Sequence, residues 1–201
     1  MIKNIIFDLG NVLLNFRPAE FLEKKNYPED IRTTILTDIF ESKEWLMIDN
    51  GDLTISEAID SIARRSSLPK EEIARIFDLR IELMFPLDRN VKLLPELKKR
   101  GFKLYILSNF SLDGFEAVNS LYSFFRYFDG GVISSKVKLC KPDRRIYETL
   151  MKKYSLIPEE CFFIDDIETN VRAAELAGMK GLVTYGSQDI FKEVEEQLTL
   201  S

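Results

Sequence analysis

Histidine is absent from all 201 residues. Its absence removes Ser-His-Asp and Cys-His catalysis and every histidine-ligated metal site. Acid–base chemistry is left to carboxylates, lysine, tyrosine or water. Cysteine is scarce: Cys140 and Cys161 are the only two, too few for a disulfide framework and wrongly spaced for a zinc site. They read as reduced thiols of a cytosolic protein. No apolar stretch approaches the roughly 20 residues that a membrane span needs. The N-terminal run from Met1 to Asp8 lacks a signal-peptide layout, being short and ending in an acid. A cytoplasmic chain with no membrane partner is expected. Positive charge is not in excess either. A formal net charge of −5 argues against a nucleic-acid surface and offers no long-range pull on anions. A phosphorylated ligand would have to be held by local groups. Internal repeats and low-complexity segments are lacking, and no G-x-G-x-x-G follows the first apolar run, so a dinucleotide site is unsupported.

What remains is an ordinary globular composition, 45% hydrophobic and 30% charged, with room for one α/β domain and a sizeable insertion. Five short apolar runs, at 2–7, 103–107, 131–133, 161–164 and 181–184, have the composition of strands buried on both faces of a parallel sheet. Helical patterns alternate with the later runs, at 93–100, 144–154 and 170–177, the signature of βαβ units. Gly101 and Gly178 stand where left-handed helix C-caps are expected. The stretch from Pro18 to Pro86 differs: it holds no convincing strand and spaces its apolar residues helically, as in Ile73, Ile76, Phe77, Ile81 and Met84. Ser56 and Pro69 suit helix starts there. The expected architecture is a Rossmann-like, three-layer core with a parallel sheet, formed by residues 1–16 and 87–201, with a bundle of about four helices (17–86) inserted after the first strand.

Such a sheet places its ligand at the carboxyl ends of the strands, near the switch in strand order. The polar residues there are Asp8, Ser108-Asn109, Ser134-Ser135, Asp165-Asp166 and Tyr185-Gly186. Asp8 alone reads equally well as a turn aspartate. Ser108 can bind an oxyanion without adding charge, though it could as well cap the next helix. Lys141-Pro142 precedes a helix opening near Asp143, with Pro142 suited to the first helical position. Its lysine can bring positive charge into the same cleft. The pair Asp165-Asp166 is the most specific signal. Two carboxylates about 4 Å apart repel by roughly 4 kcal/mol at an effective dielectric near 20, and Mg²⁺, which prefers carboxylate and carbonyl oxygens, would relieve that. Three aspartates are balanced by Mg²⁺ and Lys141, and a screened carboxylate can attack phosphorus.

Four segments in this order, Phe7-Asp8-Leu9-Gly10-Asn11-Val12-Leu13, Leu107-Ser108-Asn109, Cys140-Lys141-Pro142 and Phe163-Ile164-Asp165-Asp166, resemble the four motifs of the haloacid dehalogenase superfamily. The resemblance implies a small phosphorylated substrate and an aspartyl-phosphate intermediate, with Asp8 as nucleophile. It implies Mg²⁺ held by Asp8, the Gly10 carbonyl and the acid pair, Asp166 directly and Asp165 beside it or behind it. Ser108, with Asn109 adjacent, would bind the phosphoryl oxygens, and Lys141 would steady nucleophile and phosphate. One departure stands out. Most phosphatases of the superfamily carry a second aspartate, acting as acid then base, where this chain has Gly10. The wording Asp-Leu-Gly-Asn-Val is similar to a bacterial subgroup like α-D-glucose-1-phosphate phosphatases, which points to sugar phosphates. The rival readings are a metal-independent 2-haloacid dehalogenase and a non-catalytic binding protein on the same fold. Cap candidates for specificity are Arg17, Glu41, Trp45 and Asp49. The oligomeric state is not legible.

Overall fold

A computed structural model describes residues 1–186 and 189–199. The first strand, β1 (Asn4–Phe7), is followed by α1 (Pro18–Lys24), α2 (Glu29–Ile35) running into a π-helical turn (Leu36–Phe40), α3 (Lys43–Asn50), α4 (Ile55–Ala63) and α5 (Lys70–Leu83). Then come α6 (Asp88–Val91), α7 (Leu93–Lys99), β2 (Lys103–Ser108), α8 (Leu112–Leu121), β3 (Gly130–Ile133), α9 (Ser134–Val137) and α10 (Arg144–Tyr154). The chain continues through β4 (Cys161–Asp165), α11 (Glu168–Leu176), β5 (Lys180–Val183) and α12 (Phe191–Thr199). The expected core segment 87–201 includes four positions outside the described residues, 187, 188, 200 and 201.

All five expected strands are present, shifted by a residue or two. They form one parallel sheet in the order β3-β2-β1-β4-β5. Alternation along each strand sorts side chains to opposite faces. Ile5, Phe7, Leu104, Ile106, Phe162 and Ile164 join one cluster with Leu93, Leu97 and Val118 of α7 and α8. Ile6, Tyr105, Leu107 and Phe163 join the other with Ile146, Tyr147 and Leu150 of α10 and Val171 of α11. The result is the expected three-layer sandwich. β1 lies at its centre because it alone pairs with both β2 and β4. The direction of winding reverses beside it, which opens a crevice at the carboxyl ends of β1 and β4.

Between β1 and β2 the helices α1 to α5 make their own core from Leu22, Ile35, Ile39, Ile48, Ala58, Ile62, Ile73, Ile76 and Phe77. Five helices stand where apolar spacing suggests about four; short α1 and α2 are separated by a turn at Asn26, whose φ is 59°. Two helix-start expectations need correction. Thr54, not Ser56, caps α4, in a reciprocal box with Glu57. Pro142 lies outside α10, whose cap is the Asp143 carboxylate accepting from Arg145 N–H. Gly101 and Gly178 do take left-handed conformations, at φ 90° and 94°. No helix among the described residues is long and apolar enough to cross a membrane.

A buried carboxylate organises this helical insert. Glu44 of α3 is 1% exposed; it accepts from Ser61 Oγ at 2.8 Å and Arg65 Nη2 at 2.9 Å. Arg65 also donates to Asp38 Oδ1 at 3.2 Å and to the Asp38 carbonyl at 3.0 Å, tying the π-turn to α3 and α4. Burial alone would raise the Glu44 pKa, but bonds from Arg65, Ser61 and the backbone outweigh it and bring it down to about 2. Because the folded value lies below the unfolded one, the stabilisation is complete above pH 4.5 and disappears as pH falls toward 2. Glu44→Gln is expected to lower stability at pH 7 by on the order of 3 kcal/mol at most. Denaturant melts of variant and parent should converge near pH 2.

Candidate active site

The register of the sheet brings the site together. Phe7 is level with Ile106 on one side and Ile164 on the other, so Asp8 and Asp165 emerge side by side, with Ser108 one position further along β2. The Asp8 N–H donates to the Ile164 carbonyl at 2.9 Å, carrying the pairing one residue past β1. Beyond it the chain turns on the Leu9 carbonyl, which accepts from Leu13 and Leu14 N–H at 2.9 and 2.8 Å. Gly10 sits in this turn without a positive φ, and a Cβ there would meet only Phe16 Cβ at 4.0 Å. Backbone geometry therefore does not demand glycine at position 10.

Carboxylate oxygens of Asp8, Asp165 and Asp166 lie within 4.8 Å of one another. Lys141 reaches into this cluster with its side chain only 1% exposed. Its Nζ is 2.9 Å from Asp8 Oδ1 and 2.6 Å from Asp165 Oδ2. Burial opposes the ammonium charge, yet the two carboxylates outweigh burial and hold the Lys141 pKa above its usual value. Asp165 is wholly enclosed: it accepts from Lys141, from Asn170 Nδ2 at 3.1 and 3.2 Å, and from Ile167 N–H at 2.8 Å. Asp166 is half-buried and accepts from Asn11 Nδ2 at 3.2 Å. Burial and the Asp165 charge push its pKa up. Asp8 is shifted up to about 6, chiefly by burial, against the opposing pull of Lys141. Its Oδ1 is buried without an aligned hydrogen bond, although the ammonium is close.

Asn109 turns out to be committed elsewhere. Its Nδ2 donates to the Lys141 carbonyl at 3.0 Å, and its Oδ1 accepts from the Lys141 N–H at 2.8 Å. Both ends of the amide clamp the lysine backbone. The buried Ser108 hydroxyl faces Asp8 and lowers its pKa.

Above these groups is a cavity of about 350 Å³, lined by Asp8, Gly10, Lys141 and Asp166 below and by the helical insert above. Its upper wall is mostly apolar, with Arg80 and Asp49 as its charged members. Phe16, Phe40, Trp45 and Phe77 form a continuous aromatic group with ring centroids 5.0–6.1 Å apart, and Leu46, Ile55 and Met84 complete it. Arg17 is turned away, donating to the Gly186 carbonyl at 2.8 Å and to Glu20 at 3.1 Å. Glu41 is exposed and absent from the lining.

A family model described as a haloacid dehalogenase-like hydrolase matches residues 2–178. The chain belongs to that family. It is 29% identical to the sesquiterpene phosphatase astK of Aspergillus oryzae over 90% of this chain and 88% of that one. It is 28% identical to the phosphatase MT3486 of Mycobacterium tuberculosis over 89% and 85%. A family enzyme from Bacteroides thetaiotaomicron, solved with magnesium and inorganic phosphate, superposes with a TM-score of 0.72 at 24% identity, covering 91% of this chain and 94% of that one.

Within this hydrolase the donor set suits a hard divalent cation. Three carboxylates face one ammonium, Asp8 Oδ1 lacks an aligned donor, and Asp166 keeps lone pairs free. Asp8 and Asp166 would hold Mg²⁺, with Asp165 behind them because its oxygens are already engaged. Two functional positions were not legible in the sequence: Asn11, which orients Asp166, and Asn170, which orients Asp165. Asn11 could have been found from its place in the turn after β1, where a φ of 52° favours asparagine. Lys141→Ala leaves two buried carboxylates facing each other, and is expected to cost about 3–5 kcal/mol. Unfolding in metal-free buffer measures the loss, and added Mg²⁺ should recover part of it.

Proposed function

We propose that the chain is a Mg²⁺-dependent phosphatase acting on small monoesters whose alcohol is largely apolar. The observation that carries this is the cavity itself: a charged floor suited to a phosphoryl group beneath an aromatic and aliphatic roof. A sugar would bring several hydroxyl groups beneath that roof, where the insert offers only Asp49 and Arg80 as polar partners, and each hydroxyl left unpaired costs about 1–3 kcal/mol. An apolar chain gains there instead, by about 0.8 kcal/mol per buried methylene. The similarity to a sesquiterpene phosphatase supports the same reading, whereas the sugar-phosphate expectation has only the wording of the first motif behind it. On this reading residues 17–86 are a specificity cap over a catalytic core of residues 1–16 and 87–201.

Asp8 would attack phosphorus in line with the departing alcohol oxygen, giving an aspartyl phosphate that water then hydrolyses. Lys141 lies against the nucleophile and is placed to neutralise charge on the transferring group. Ser108 donates to a phosphoryl oxygen, and Asn109 serves by fixing the Lys141 backbone. Bound Mg²⁺, held by Asp8, Asp166 and the Gly10 carbonyl, would supply charge neutralisation at the phosphoryl oxygens. Metal-free dehalogenation fits the site less well, since it would leave Asp166 beside Asp8 and Asp165 with only Lys141 against three charges.

Phosphate release with Mg²⁺ from butyl, hexyl, octyl and decyl phosphate tests the reading. The value of kcat/KM is expected to rise up to about fourfold per methylene until the cavity is filled, to vanish with EDTA, and to fall by about 10⁴-fold or more in Asp8→Asn. Faster turnover of glucose 1-phosphate than of decyl phosphate would reject the apolar substrate class. EDTA-resistant halide release from 2-chloropropionate would reject the phosphatase.

A further inference from the structure

The phosphatase chemistry needs a proton for the departing alkoxide, and position 10 offers none. Among the described residues lining the cavity, the ionisable side chains are Asp8, Asp49, Arg80, Lys141 and Asp166. Four are committed. Asp8 is the nucleophile, and Lys141 is held between Asp8 and Asp165. Asp166 belongs to the acidic cluster. Arg80 is bound to Asp113 and to the Phe77 carbonyl. Asp49 is left.

The position of Asp49 is built rather than incidental. It lies in the last turn of α3, and that end of the helix is docked on the core. The fully buried Ser134 hydroxyl donates to the Asp49 carbonyl and accepts from Phe110 N–H at 2.9 Å. Gly51 ends the helix at φ 77°, so close to α9 that a Cβ would stand 2.5 Å from the Ser135 carbonyl oxygen. The Asp49 carboxyl is faced by the Ser111 backbone N–H, three residues after Ser108, and by the Trp45 side chain. It is therefore lodged beside the loop that carries the phosphoryl-binding serine. Burial raises its pKa to about 7, with smaller contributions from the Asp8 and Asp113 charges, so a protonated fraction persists at neutral pH.

We propose that Asp49, supplied by the helical insert, protonates the departing alcohol and then takes a proton from the hydrolytic water, in place of an acid at position 10. In the first step Asp8 Oδ forms a bond to phosphorus, the bond from phosphorus to the alcohol oxygen breaks, and the Asp49 proton passes to that oxygen. In the second step water adds to phosphorus, its proton goes to the Asp49 carboxylate, and the bond from Asp8 to phosphorus breaks. The inference rests on the phosphatase reading.

Leaving-group dependence tests it. Decyl phosphate expels an alkoxide that needs a proton, while p-nitrophenyl phosphate expels a stable phenolate. With Mg²⁺ present, Asp49→Asn is expected to lower kcat/KM for decyl phosphate by about 10²–10⁴-fold and that for p-nitrophenyl phosphate by less than about tenfold. The aryl ester should also show a burst of about one p-nitrophenolate per enzyme followed by slow turnover, because the second step lacks its base. Asp49→Glu, which keeps the carboxyl, should recover part of the decyl phosphate activity. Equal losses on both esters, or an unchanged rate on decyl phosphate, overturn the role of Asp49 alone. Failure of the unaltered protein to hydrolyse either ester overturns the phosphatase reading and this role with it.

Discussion

The Lys141 ammonium, buried between Asp8 and Asp165, is the contact on which the rest of the site depends. Three aspartates gathered at the ends of two adjacent strands would repel one another strongly in a medium from which water is excluded. One ammonium offsets part of that repulsion and no more. The arrangement is thus stable enough to fold and still short of positive charge, which is the condition for taking up a divalent cation and, with it, a phosphoryl group. Much of the surrounding structure keeps that ammonium in place. Asn109 grips the lysine backbone from β2's end, Asn170 and Ile167 fix the orientation of Asp165, and the β1–β4 register sets the distance between the carboxylates.

Sequence reasoning reached this centre because strand ends are easy to read. An uninterrupted apolar run has a definite last residue, and in a parallel sheet that residue faces the crevice. Asp8, Ser108, Lys141 and the acid pair were all accessible in this way, and so was the helical insert, from the loss of short apolar runs between Pro18 and Pro86. Less accessible was how polar side chains share the work. Asn11, Asn109 and Asn170 have the same donors and acceptors, and nothing in their spacing says which holds a ligand and which holds a neighbour. All three hold neighbours: Asp166, Lys141 and Asp165 in turn. The helix starts show the same limit on a smaller scale, since Thr54 and Ser56 are both plausible caps and only Thr54 has glutamate three positions on.

The cavity roof was hidden for another reason. Apolar residues at helical spacing mark a buried face without saying what buries it. Trp45 and Phe77 pack against each other with centroids 5.8 Å apart, and both also line the cavity. From the sequence such residues are core, and here they are core and binding wall together. The π-helical turn contributes to this, because it ends at Phe40, whose ring lies 5.0 Å from that of Trp45. A wall made from the insert's own core cannot be altered without altering the insert's stability, so on the proposed reading substrate preference is tied to how the helices pack.

Moving the proton donor from the core to the insert changes what the insert must do. An acid at position 10 would sit on β1's own turn and be in place whether or not the helices were closed over the site. Asp49 is in place only when α3 rests on the core. That requirement explains why the junction is so firm: a wholly buried serine joins the helix end to the Phe110 amide, and Gly51 allows the two backbones to approach more closely than any side chain would permit. On the proposed mechanism, protonation therefore requires the helix end to be seated beside the site, with the alcohol held beneath the insert. The same closure raises the Asp49 pKa through burial, so one contact both places the acid and keeps it able to give up a proton near neutral pH.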